Sequence, residues 1–294
     1  MMDSPLFAIG AITLLAATIN GALGYGFSSI TVPMALLFLS NRVLNPALVL
    51  IEVPLNAYVL WVNRDALPAV WRRVLPMVLG LVPGIAVGTM AVSAVSPDWM
   101  KLVTFMLLLP LIFTQAIGLR RPFSREKSAG LVFGGGVGVL YALTTISGPP
   151  LAVMLNNQGF VKREFRAGLG FVRLAESSLT AVAYLAAGLY SQPSFALIPW
   201  IVPSVAIGVP LGARLIRRLR PDIFRRICMS FDAWIVAFGL SKVLHDLRVV
   251  ETNAAYLVFV GVLLVDACLL YRFFSRLPGA HPPQGGYSPA RANS

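Results

Sequence analysis

Two acids and one arginine stand inside apolar stretches where a charge is costly: Glu52, Glu176 and Arg173. Each costs roughly 2.5–3.5 kcal/mol at the centre of a membrane helix on insertion scales, so a retained one needs a partner or a task. The acids lie in related surroundings, LIEVPLNA (50–57) and LAESSLTA (174–181), at a spacing of 124 residues, with Asn56 and Thr180 one turn further on. Arg173 precedes Glu176 by three residues, which puts both on one helix face and suggests an ion pair. Val49 holds that place before Glu52, so Glu52 is expected to lack a cation. Burial without a cation opposes the charged form of a carboxyl group. Glu52 and Glu176 are therefore the candidates for proton coupling, and Arg173 is a candidate to hold an anion.

Two interruptions of the apolar pattern carry the remaining polar groups. The first, NGALGYGFSS, runs from Asn20 to Ser29, and the second, YALTTISGPP, from Tyr141 to Pro150. Gly weakens a helix and Pro removes a backbone donor, so each run is expected to break into two half-helices. A half-helix N-terminus offers free N–H groups and partial positive charge, which suits an anion. Ser147, before Gly148-Pro149-Pro150, reads as an N-cap, with Thr144 and Thr145 as further hydroxyl donors. Ser28, Ser29 and Thr31 before Pro33 hold the corresponding place in the first break, whose turn contains Asn20, Gly21, Gly24 and Gly26. The expected substrate site comprises Asn20, Gly24, Ser28, Ser29, Asn56, Thr144, Thr145, Ser147, Gly148 and Arg173.

Nine apolar runs position these groups, and seven of them have the roughly 20 residues that one membrane span requires. The other two, 5–40 and 129–157, are longer and contain the breaks. If each broken run enters and leaves on one side, nineteen of the 24 Lys and Arg fall on one side of the membrane and four on the other. The positive-inside rule then favours two hairpins plus seven crossings, with the N-terminus outside and the C-terminus cytoplasmic. If both arms of each hairpin cross fully, the count is eleven with the same sidedness. Pro97-Asp98 and Pro221-Asp222 repeat the 124-residue offset, and LVPGIAVG (81–88) matches IVPSVAIG (201–208) at 120.

The expected fold is all-α and polytopic. Residues 1–120 and 129–248 form two inverted repeats, each a broken-helix hairpin plus three spanning helices. A basic linker at 121–128 joins them, an additional span follows at 249–277, and 278–294 is a disordered tail. Inverted repeats with broken helices are the mark of a secondary transporter.

Composition excludes the other classes. The chain has 294 residues, 57% hydrophobic and 12% charged, about half the charged share of soluble domains. The net charge of +12 would suggest nucleic acid in a soluble protein. Here the charges sit in short connections and serve topology, so no nucleic acid is expected. Cys228 and Cys268 have no metal or redox spacing, and His245 and His281 have no partner at helical spacing, so neither metal nor cofactor is expected. A membrane-embedded enzyme would need a nucleophile–base or metal set that these residues do not supply. Asp232 and Asp266 are weaker functional candidates because they lack symmetric partners. The opening MMDSPLF lacks the basic n-region of a cleaved signal.

The segments GALGYGFSSITVP, GGVGVLYALTTISGPPL and VPSVAIGVPLGARL resemble the sulfite exporter TauE/SafE family, across about residues 8–245. The resemblance implies a bacterial inner-membrane permease for sulfite, sulfoacetate or related sulfonates. It places Gly24, Pro33, Gly148 and Pro149 in the family's two Gly/Pro-rich segments. The expectation is export of a small anion by alternating access, one repeat moving against the other, with the lipid bilayer as its surroundings and a proton as the coupling ion. A homo-oligomer is compatible with this, and an anion channel on the same scaffold is the alternative.

Overall fold

The computed structural model describes residues 3–24, 26–117, 126–158, 160, 162–216, 221–250 and 252–275. The tail expected at 278–294 and most of the linker expected at 121–128 lie outside the described residues. The long helices in chain order are α1 (Asp3–Leu23), α2 (Phe27–Ala35), α3 (Asn41–Val62), α4 (Leu67–Ala94), α5 (Pro97–Ile117) and α6 (Glu126–Thr144). They continue as α7 (Gly148–Asn157), α8 (Lys162–Ala186), α9 (Gln192–Leu215), α10 (Pro221–Asp246) and α11 (Leu257–Ser275). The described residues form no strand. Long arm, short arm and three long helices thus occur twice, and α11 follows.

Both long runs break where Gly, Pro, Ser and Thr cluster, but unequally. The leading arms α1 and α6 have 21 and 19 residues, and the returning arms α2 and α7 have 9 and 10. Among the described residues eight helices are long and apolar enough to cross a membrane: the seven expected runs and α1 through its Leu6–Leu23 stretch. The breakers begin only at Asn20 and Gly21, so the first arm grows beyond a half-helix before the chain turns.

Glycine decides how the halves interlock. Gly80, Gly84 and Gly88 of α4 lie against Gly134, Gly135 and Gly138 of α6 so closely that a Cβ at Gly88 would stand 2.7 Å from that of Ala142. In α9, a Cβ at Gly208 would stand 2.7 Å from that of Ala17, and one at Gly212 would collide with the Thr18 carbonyl of α1. Without a hydrophobic drive between helices in lipid, such small-residue seams hold by van der Waals contact. Each leading arm is therefore fastened, in parallel, to the fourth helix of the other half. By contrast α3 and α8 run antiparallel: Asn56 meets Arg173 and Ser177, and Leu60 meets Gly170.

The last helix is held by a polar clamp. Arg226 of α10 donates to Asp266 of α11 at 2.8 Å, and Ser230 and Trp234 donate to the same carboxylate at 3.1 and 3.0 Å. Arg226 is buried, 4% exposed, and ties α10 to α11. Asp266 likewise takes a structural role, because α11 touches the rest of the bundle chiefly along α10 and needs an anchor there.

Candidate functional site

Both leading arms end in the same way. Gly24 has φ 83° and donates its N–H to the Asn20 carbonyl at 2.7 Å; Thr145 has φ 55° and donates to the Tyr141 carbonyl at 2.6 Å. Gly takes this left-handed turn freely, whereas in Thr145 it costs about 1–2 kcal/mol. Local bonds hold the strained residue. The Thr144 hydroxyl donates to the Leu140 carbonyl at 2.7 Å and accepts from the Ile146 N–H at 3.1 Å, and the Thr145 hydroxyl donates to the Thr144 carbonyl at 2.7 Å. Thr144 and Thr145 thus shape the turn through their own hydroxyls.

The returning arms start at the level of the buried acids. Ser28, in the first turn of α2, donates to Glu52 Oε1, and Ser147, immediately before Gly148 opens α7, donates to Glu176 Oε2 at 2.5 Å. Beside each half-helix N-terminus a serine hydroxyl is thus bonded to the buried carboxyl group of its own half. Ser147 was expected to cap α7; its hydroxyl turns to Glu176 instead. Ser29 lies buried beside the Gly26 turn.

The counter-charge is distributed differently from the sequence expectation. Arg173 reaches across to Glu52, Nη2 to Oε1 at 3.2 Å, and not to Glu176 three residues along its own helix. Antiparallel packing of α3 on α8 brings Glu52 opposite Arg173, while the start of α7 draws Glu176 the other way. Glu52 also accepts from the Tyr141 hydroxyl at 2.6 Å. It therefore has three donors, from α2, α6 and α8, whereas Glu176 Oε1 and Arg173 Nε are buried without a partner. Asn56 donates to the Arg173 carbonyl and to Ser177, each at 3.4 Å, so it braces α8 rather than the acids.

Asn20 and Gly24 part from this cluster. They line a cleft of about 470 Å³ between the C-terminal ends of α1, α3 and α9 and the start of α8. Its walls are apolar (Leu55, Tyr58, Val59, Val62, Leu169, Val205, Val209), and Arg166, which also lines it, has no hydrogen bond or ion pair among the described residues. Asn20 is 3% exposed, and its amide oxygen has no partner. Beyond Arg166 a second hollow is lined by Asn63, Asp65 and Arg163. The opposite end of α3 is shut: Asn45 donates to the Leu143 carbonyl at 2.8 Å and Tyr184 to the Ala142 carbonyl at 2.5 Å. Among the described residues no group of three His, Cys, Asp or Glu could hold a metal.

Two site residues escaped the sequence reading. Tyr141 opens the second break, and a buried phenol needs an acceptor, which was the available signal. Arg166 was counted only as a topology charge.

Two broken helices that bring half-helix ends and buried ionisable groups together inside a multi-pass helical bundle define a membrane transport protein. The family model for the sulfite exporter TauE/SafE matches residues 9–239, and the chain belongs to that family. No curated protein and no solved structure matches the chain.

Proposed function

We propose that this protein is a secondary transporter that exports a small anion, sulfite, sulfoacetate or another organosulfonate, across the bacterial inner membrane, with its flux coupled to protonation of a buried glutamate. One observation carries the reading: at the start of each returning half-helix a serine hydroxyl is engaged by a buried carboxyl group of the protein itself, Ser28 by Glu52 and Ser147 by Glu176. A substrate anion and a carboxylate compete for the same donors. Taking up a proton neutralises the carboxylate and frees the serine and helix end for the incoming anion, which links the two fluxes. Charge balance favours Glu176 as the proton carrier. The buried set contains two carboxyl groups and one guanidinium, and Arg173 serves Glu52. Glu176 is left with one serine and an unpartnered oxygen, the position a proton would take.

The antiparallel run of α3 and α8 supports the inverted-repeat reading, and the excess of Lys and Arg on one side favours an outside N-terminus with the cleft at Arg166 cytoplasmic. The glycine seams favour moving bodies of mixed origin, α1 with α9 and α4 with α6, over one half rocking against the other.

The test is flux in proteoliposomes of the full chain, with sulfite, sulfoacetate and short carboxylates, with and without a proton gradient. Gradient-driven accumulation of one of these anions is expected, and Glu176→Gln should abolish the gradient dependence while retaining anion exchange. Flux of equal rate with and without the gradient would instead favour the anion channel.

A further inference from the structure

Arg42 and Arg166 are separated by 124 residues, the spacing that relates Glu52 to Glu176. Each stands near the start of the third long helix of its half, Arg42 in α3 and Arg166 in α8. They do opposite things. Arg42 lies across the C-terminus of α4, its Nε donating to the Val92 carbonyl at 3.2 Å and its Nη2 to the Ser93 and Val95 carbonyls at 2.8 and 2.9 Å. A guanidinium there satisfies carbonyls that the helix leaves open and meets the negative end of its dipole. Arg166 lines the cleft that also has Val209 and Ala213 of α9 in its wall, its Nε 4.0 Å from where a Cβ at Gly24 would stand, and it has no hydrogen bond or ion pair among the described residues. The end that Arg42 caps is the shut end of α3; the end where Arg166 is free is the open one.

We infer that Arg42 and Arg166 are the paired gate residues of the transport cycle: Arg42 on the end of α4 holds one side closed, and Arg166 takes the equivalent place on the end of α9 when the other side closes. This rests on the transporter reading and adds to it the residues that position the moving helices. The cap is a good latch because it is all or none. Three donors on one planar group engage carbonyls fixed at a single helix end, so a small shift of α4 or α9 loses the whole set. Arg42 is further suited to the task because a lysine could not span the same carbonyls from two nitrogens.

The test uses the full chain with Cys228 and Cys268 changed to serine, in proteoliposomes, labelled by a membrane-impermeant maleimide. One reporter cysteine replaces Tyr58 in the cleft, and another, in a separate variant, replaces Leu143 at the shut end. Arg42→Ala should raise labelling at position 143 and lower it at position 58, each on the order of tenfold, the scale of one lost hydrogen bond to a charged group. Arg166→Ala should do the reverse or leave position 58 fully labelled, and Arg42→Lys should behave as Arg42→Ala. Unchanged labelling at both reporters in Arg42→Ala would overturn the gate. A rise at both would also overturn it, because it would mark Arg42 as a staple of the fold. Loss of anion flux in Arg166→Ala without any shift in reporter labelling would make Arg166 a substrate-holding residue and overturn the pairing. Flux separates the two readings. Reciprocal labelling without anion flux would uphold the gates and sink the transporter, and flux with indifferent reporters would do the opposite.

Discussion

Glu52 and Glu176 occupy equivalent places, yet neutralising them should have very different consequences for stability. Glu52→Gln removes the carboxylate that faces Arg173 and leaves a guanidinium buried in a site with no other acid bonded to it. Breaking a buried pair by deleting one partner costs about 3–5 kcal/mol, because the remaining charge is uncompensated. Glu176→Gln strands nothing: Ser147 can still donate to the amide oxygen, and no cation is bonded to the acid. Its cost should stay below about 1 kcal/mol, the net worth of one ordinary hydrogen bond. The assay is equilibrium unfolding in mixed micelles followed by the fluorescence of the chain's five tryptophans. A gap of about 3 kcal/mol between the variants corresponds to roughly a hundredfold in the unfolding constant. The double variant Glu52→Gln with Arg173→Met should recover most of the loss, since both charges then leave together. Equal losses in the two single variants, or no recovery in the double variant, would refute this assignment of the counter-charge.

Three further outcomes follow from local geometry. Gly24→Ala should destabilise by about 1–2 kcal/mol, the cost of a left-handed turn, since the nearest atom to the new Cβ is Arg166 Nε at 4.0 Å and steric conflict is absent. Gly136→Ala is the internal comparison: it lies within α6 with nothing within 4 Å of the new Cβ, and should gain about 0.5–1 kcal/mol in the same unfolding measurement. Arg226→Met should leave Asp266 uncompensated and loosen α11, read as faster proteolysis of the connection between α10 and α11; an unchanged cleavage rate would show that the clamp does not hold the helix.

The helical class, the broken runs and the buried acids were legible because each rests on local chemistry. Length and hydropathy mark a span, and Gly24 or Ser147-Gly148-Pro149 marks a break, whatever lies across the bundle. The arginine's partner was not legible. Spacing along α8 places Arg173 beside Glu176, and only the antiparallel crossing of α3 reveals that Glu52 stands nearer. Donors at the half-helix ends were readable as Ser28 and Ser147, but not that glutamates would occupy them, since that needs the depth of α2 and α7 relative to α3 and α8. For the same reason Asn20 and Gly24, neighbours of Ser28 in sequence, face a cleft rather than the acids.

The glycine seams also bear on how the chain is made. The Ser204 hydroxyl that bonds the Gly10 carbonyl comes 194 residues later in synthesis. At 5–20 residues per second, α1 emerges roughly 10–40 s before the helix it must lie against. For that interval its glycine- and alanine-faced groove has only lipid, or another nascent helix, to cover it. The second seam closes sooner, since α6 follows α4 by only a few tens of residues. The α4–α6 seam can therefore close before the α1–α9 seam, although α1 is the first of these four helices to be made.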